Sequence, residues 1–141
     1  MAETLDKITK NVSKMYKSYP YPSPSTETNQ TNELLNLMRI FELENQIKIN
    51  NKKFLDAGSG SGHRISNVAQ YYKNCNFLGI DISDTSLKIA NSLKKKNNLK
   101  NIQFKKFNLM NSTASLGKFD FIYLWVYYII YLILKQDYKI F

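Results

Sequence analysis

Lys53-Phe54-Leu55-Asp56-Ala57-Gly58-Ser59-Gly60-Ser61-Gly62-His63 is the stretch whose reading decides the fold. Lys53 to Ala57 reads as a short buried strand that runs into a glycine loop. A helix follows, with Ile65, Val68, Ala69 and Tyr72 at three- and four-residue spacing. Gly58, Gly60 and Gly62 alternate along the loop, where positive φ and close approach of a ligand favour glycine. The helix N-terminus presents N–H groups and a partial positive charge to the loop. A phosphate-gripping loop would end in Gly-Lys-Ser/Thr, but Gly62 is followed by His63-Arg64. The dinucleotide fingerprint Gly-x-Gly-x-x-Gly, counted from Gly58, would need glycine at 63, where His63 stands.

Asn76-Phe77-Leu78-Gly79-Ile80-Asp81-Ile82 reads as the next strand and ends in an acid. Asp81 lies near the roughly 20-residue spacing at which a carboxylate at the second strand's end reaches ribose hydroxyls. Taken singly, Asp56 and Asp81 would be solvated loop acids. Strand, loop, helix, strand and acid in register argue against that.

Phe54 to His63 resembles the first motif of the class I S-adenosylmethionine-dependent methyltransferases. The resemblance implies an α/β fold, a Rossmann-like parallel sheet with flanking helices, with S-adenosylmethionine as cofactor. It implies that Asp56, Gly58, Ser59, Gly60, Gly62 and His63 surround the cofactor's amino-acid part, with Asp56 helping to hold its ammonium group. Asp81 would take the ribose hydroxyls, and Ile82 would pack on the adenine. Asn108-Leu109 falls where the family often has Asp-Leu beside the adenine amino group. The Asn108 amide oxygen can accept from that amine. His63 is expected to cap the helix or contact the cofactor rather than to act as a base, and no catalytic residue is assigned.

With 141 residues and a net charge of +9, one domain is expected. The lysines are scattered, and Lys, Asn and Ile together suggest drift in an AT-rich genome, so basicity argues only weakly for nucleic acid. Cys75 and His63 are the sole cysteine and histidine, which argues against a disulfide framework or a zinc site. The N-terminus lacks the apolar core of a signal peptide, and a cytoplasmic protein is expected.

Residues 1–45 read as N-terminal helices with a Tyr/Pro segment. Residues 3–17 form a helix with Leu5, Ile8, Val12, Met15 and Tyr16 in one stripe. Tyr19-Pro20-Tyr21-Pro22-Ser23-Pro24 ends it, since alternating prolines force extended backbone. A similar Tyr-Pro-Tyr-Pro segment precedes the glycine loop in some bacterial methyltransferases. That likeness makes Tyr19 and Tyr21 candidates for a lid over the cofactor, against a plain linker. Thr31 or Asn32 should cap a second helix whose broad apolar face, Leu34 to Leu43, is expected to be well buried.

The cofactor-binding core is expected over residues 46–124. Ser83 or Asp84 caps a helix with Leu87, Ile89, Ala90 and Leu93 inward. Asn101 to Phe107 is a third strand, and Phe119-Asp120-Phe121-Ile122-Tyr123 resembles the family's fourth, where the acid is structural. No Asn/Asp-Pro-Pro-Tyr follows, which disfavours the amino groups of DNA bases and some protein amides as acceptors.

Residues 125–141 depart from the family. Phe121 to Leu134 is a 14-residue apolar or aromatic run, short of the roughly 18–20 that span a bilayer. It shows neither a helical face nor strand alternation. Truncation after the fourth strand, as by a frameshift, is the expected cause. The fourth strand would then expose an edge; either the tail folds back over it or the chain self-associates. The functional expectation is methyl transfer to an unidentified acceptor. A non-catalytic fragment that keeps the cofactor half, and a nicotinamide-binding Rossmann protein, stand as alternatives.

Overall fold

The computed structural model describes residues 2–18, 32–126 and 129–134. Helix α1 (Ala2–Ser18) is followed by α2 (Glu33–Asn45), β1 (Lys53–Ala57), α3 (His63–Tyr71), β2 (Asn76–Asp81), α4 (Asp84–Lys96) and β3 (Ile102–Lys106). A 3-10 turn (Thr113–Leu116) leads to β4 (Phe121–Val126) and β5 (Ile129–Leu134). The strands lie in the order β3-β2-β1-β4-β5. The first four are parallel, because each return crosses over the sheet, and β5 is antiparallel to β4. The carboxyl ends of the parallel strands therefore share one edge. The order reverses between β1 and β4, the position at which open α/β sheets bind ligands.

The alternating pattern of β1 divides the core. Phe54 packs with Phe77, Ile102, Phe121 and Tyr123 under Leu34, Met38, Ile65, Val68 and Ala69 of α2 and α3. Leu55, Ala57 and Ile80 face the other way, toward half-buried Leu78, Phe107, Leu109, Leu116, Phe119 and Ile122. Three phenylalanines stack across the strands. The Phe54 ring lies 4.7 Å from Phe77 and 4.6 Å from Phe121, and Phe41 of α2 meets Phe121 edge-on at 5.8 Å.

Two polar ties fix the helices. Glu42 is buried on α2, accepting from the Ile49 N–H at 2.6 Å and the Tyr72 hydroxyl at 3.1 Å. Burial and that hydrogen bond push the Tyr72 hydroxyl's pKa up. The Asn101 side-chain amide donates to the carbonyls of Ala69, Tyr72 and Cys75. It thereby satisfies acceptors left over at the end of α3.

Several expectations change. The broad face of α2 is not wholly buried: Leu34, Met38 and Glu42 point inward, one per turn, while Leu43 is 77% exposed and Ile40 50%. A helix packed on one side buries a stripe; the stripe here is the i, i+4 row, and α2 packs chiefly on α3. Asn32 occupies the N-cap position without a capping hydrogen bond, and its side chain instead accepts from Asn67. Thr31, the other candidate, lies outside the described residues, as do Tyr19 and Tyr21. On α4, Leu87 and Ala90 are buried and Ile89 and Leu93 only half-buried; Ser83 caps this helix. The apolar run that showed no pattern is strand from Ile129 to Leu134, paired from Val126↔Ile129 to Phe121↔Leu134. Pairing satisfies the outer backbone groups of β4, so residues Ile129–Leu134 cover that edge. No helix among the described residues is long and apolar enough to cross a membrane.

Removing the central ring of the stack tests this core. Phe54→Ala is expected to lower the unfolding free energy by about 3–5 kcal/mol, read from the urea midpoint. A loss below about 1 kcal/mol would show that the stack is not central to stability.

Candidate functional site

The glycine loop is held to β2 by a short set of hydrogen bonds. Gly58 and Ser59 N–H both donate to the Ile80 carbonyl, at 2.8 and 2.9 Å. Gly62 N–H closes back on the Ser59 carbonyl at 3.0 Å. Gly62 is the N-cap of α3, with φ +77°. A Cβ there would come within 2.7 Å of the Phe104 ring and 2.9 Å of the Ala90 Cβ. The glycine at 62 is thus required by left-handed backbone and by close packing of the α3 terminus on α4 and β3, a role distinct from ligand approach.

Asp81, at the end of β2, joins two elements. One carboxylate oxygen accepts from Gly60 N–H at 2.9 Å and the other from Ser83 N–H at 2.8 Å. Ser83 Oγ in turn accepts from Ser86 N–H, capping α4. Asp81 is half-buried, so the carboxylate is positioned by backbone while part of it stays open. Each oxygen retains a further lone pair.

Asp56 is different. It is fully enclosed, at 0% exposure, and neither carboxylate oxygen has a hydrogen-bond partner. Its strand neighbours are Gly79 on β2 and Tyr123 on β4. Burial raises its pKa to about 7, Arg64 draws it down, and Asp81 pushes it up. A solvated loop acid would show none of this. Arg64, in the first turn of α3, is itself buried; the sequence reading passed over it. The signal available was a charged residue two positions after Gly62, following a loop whose strand already carries an acid.

The remaining candidates sit around the same edge. His63 is half-buried, and its Nδ1 shares a 2.9 Å hydrogen bond with Ser61 Oγ. Ile82 is half-buried just past β2. Phe107 N–H donates to the Asp81 carbonyl at 2.9 Å, which brings the chain after β3 alongside. There Asn108 and Leu109 are half-buried. The Asn108 side-chain oxygen accepts from Met110 N–H at 3.0 Å, a local turn that leaves it one further lone pair. Asp120 lies at the opposite edge, accepting from Lys53 N–H at 2.9 Å, a structural tie between β1 and β4. Among the described residues no three His, Cys, Asp or Glu side chains gather as a metal set.

Residues 48–129 match the family model described as "Methyltransferase domain". The protein RP028 of Rickettsia prowazekii (strain Madrid E) is 30% identical over 116 residues, covering 79% of this chain and 46% of its own length. RP789 of the same organism is 34% identical over 107 residues, covering 76% of this chain and 18% of its own. The chain thus spans about half of one curated relative and less than a fifth of the other. Among solved structures, PKMT2 from Rickettsia typhi in complex with AdoHcy is 30% identical with a TM-score of 0.50, over 52% of this chain and 14% of that one. Coclaurine N-methyltransferase bound to N-methylheliamine and SAH has a TM-score of 0.55 at 23% identity, over 74% of this chain and 30% of that one. The latter likeness is one of fold.

The enclosed carboxyl sets a pH dependence of stability. With its folded pKa raised to about 7, the folded state holds more protons than the unfolded between about pH 4 and 7. Stability from this group is therefore lost as pH rises through that window. Asp56→Asn is expected to remove the loss, on the order of a few kcal/mol, and to leave the variant more stable than wild type above about pH 7. Urea unfolding of both proteins across that range checks it; parallel pH profiles would contradict it.

Proposed function

Because the chain belongs to the methyltransferase-domain family, we propose that it binds S-adenosylmethionine at the carboxyl edge of the sheet and acts in methyl transfer to an acceptor not yet identified. The observation that carries this reading is the Asp81 carboxylate, held at the end of β2 by Gly60 N–H and Ser83 N–H. Its remaining lone pairs suit a pair of ribose hydroxyls, which donate where a phosphate could not. The AdoHcy bound in the Rickettsia typhi relative supports the same cofactor.

The orphaned Asp56 carboxyl supports the fit. A buried acid without a hydrogen-bond partner is destabilising when ionised, Arg64 offsets only part of that, and the cofactor's amino-acid part carries an ammonium group that adds to it. Asp56 is enclosed beneath the loop, so it acts on that ammonium as a charge beneath the loop rather than as an exposed ligand. The N-terminal end of α3 supplies partial positive charge for the neighbouring carboxylate. Asn108 and Leu109, with Ile82, border the adenine side, where the Asn108 oxygen accepts from an amine. S-adenosylmethionine, when bound, supplies a methyl group activated by its sulfonium. The protein's share is to bind, orient and exclude water.

Calorimetric titration with S-adenosylhomocysteine tests the site. Wild type is expected to bind, and Asp81→Asn to bind about tenfold or more weakly while keeping the wild-type circular dichroism spectrum. Absence of binding by folded wild-type protein would overturn the reading. Heat with NAD in place of S-adenosylhomocysteine would transfer it to nicotinamide chemistry.

A further inference from the structure

We propose that Asp56 couples cofactor binding to proton release: its carboxyl keeps a proton in the ligand-free protein and yields it to solvent when an ammonium group arrives at the glycine loop. This rests on reading the edge as an S-adenosylmethionine site.

The geometry supplies the reason. An ionised carboxylate needs water, donors or a cation. Asp56 has no exposure, and no hydrogen-bond donor reaches either oxygen. On β2 its neighbours are Gly79, which brings no charge, and Asp81, which is itself an acid. On β4 its register partner is Tyr123, which is neutral near pH 7. The loop contributes Ser59 and Ser61, both buried and neutral. From α3 comes Arg64; His63, beside it in sequence, is engaged with Ser61. One guanidinium thus works against full burial and a second carboxylate. The resulting carboxyl titrates at about 7, where a modest new field changes its state. A cation arriving over the loop supplies that field, and the only covalent change is loss of the carboxyl O–H proton to water.

The sign follows. At about pH 6 the carboxyl is mostly protonated without ligand and ionised with it, so binding should release close to one proton. At about pH 8.5 it is ionised in both states, and release should fade. Affinity should rise with pH up to about 7 and then level.

The experiment is calorimetric titration of the full chain with S-adenosylhomocysteine, at about pH 6 and 8.5, in paired buffers of different protonation enthalpy. The expected result is buffer-dependent heat at the lower pH alone, absent in Asp56→Asn. Arg64→Gln should carry the release to higher pH, because it removes the opposing cation. Should Asp56→Asn not fold, infrared difference spectra of wild type decide: the carbonyl band of a protonated carboxyl should vanish on adding S-adenosylhomocysteine. Binding without proton exchange at about pH 6, or with that band unchanged, overturns the proposal and leaves the site reading standing. Release that persists in Asp56→Asn and disappears in His63→Gln assigns the proton to His63 and also overturns it. No binding by folded wild type overturns the site reading, and the proposal with it.

Discussion

A single carboxylate at the end of β2 ties the glycine loop to the start of α4 at the carboxyl edge of the sheet. Asp81 accepts from Gly60 N–H on one side and Ser83 N–H on the other. The glycine loop and the start of α4 are therefore referenced to the same two oxygens. Charge-assisted bonds of this kind are stronger than neutral ones. The Ile80 carbonyl, one residue earlier, receives Gly58 and Ser59, so the loop hangs from consecutive residues of one strand. The placement of the edge follows from β2, while the loop's glycines supply the left-handed backbone that lets it turn there.

Beneath that clamp the interior departs from an apolar core. Asp56, Ser59, Ser61, Arg64, Ser66, Ser83 and Ser86 are all buried. They lie on β1, the loop and the first turns of α3 and α4, where backbone N–H groups cluster. The phenylalanine stack and the Glu42 tie stabilise the opposite half of the sheet. The molecule thus separates a well-packed end from a polar end that carries the unfavourable burial of charge, as functional sites often do.

Much of this was legible in the sequence because it is local. The β1 limits, the helix after Gly62, a cap at Ser83 or Asp84 and the acid closing β2 all follow from patterns a few residues long. What was not legible depends on partners distant in sequence. The exposure of Ile40 and Leu43 depends on which row of α2 packs inward, chiefly on α3. The need for glycine at 62 depends on Phe104 and Ala90. Asn32 looked like a cap but turns to Asn67. The enclosure of Asp56 needs both neighbouring strands and α3. The Ile129–Leu134 strand carries no alternation, so only the free edge of β4 identifies it.

That last strand also changes the entropy of closing the sheet. The β4–β5 ladder joins residues at most 13 positions apart. The tie between β1 and β4, Lys53 to Asp120, closes a separation of 67. On the logarithmic law for loop closure the longer closure costs about 1.5 kcal/mol more in chain entropy. Short-range contacts form sooner for the same reason. The antiparallel edge pairing therefore costs less chain entropy to close than the central parallel pairing it borders.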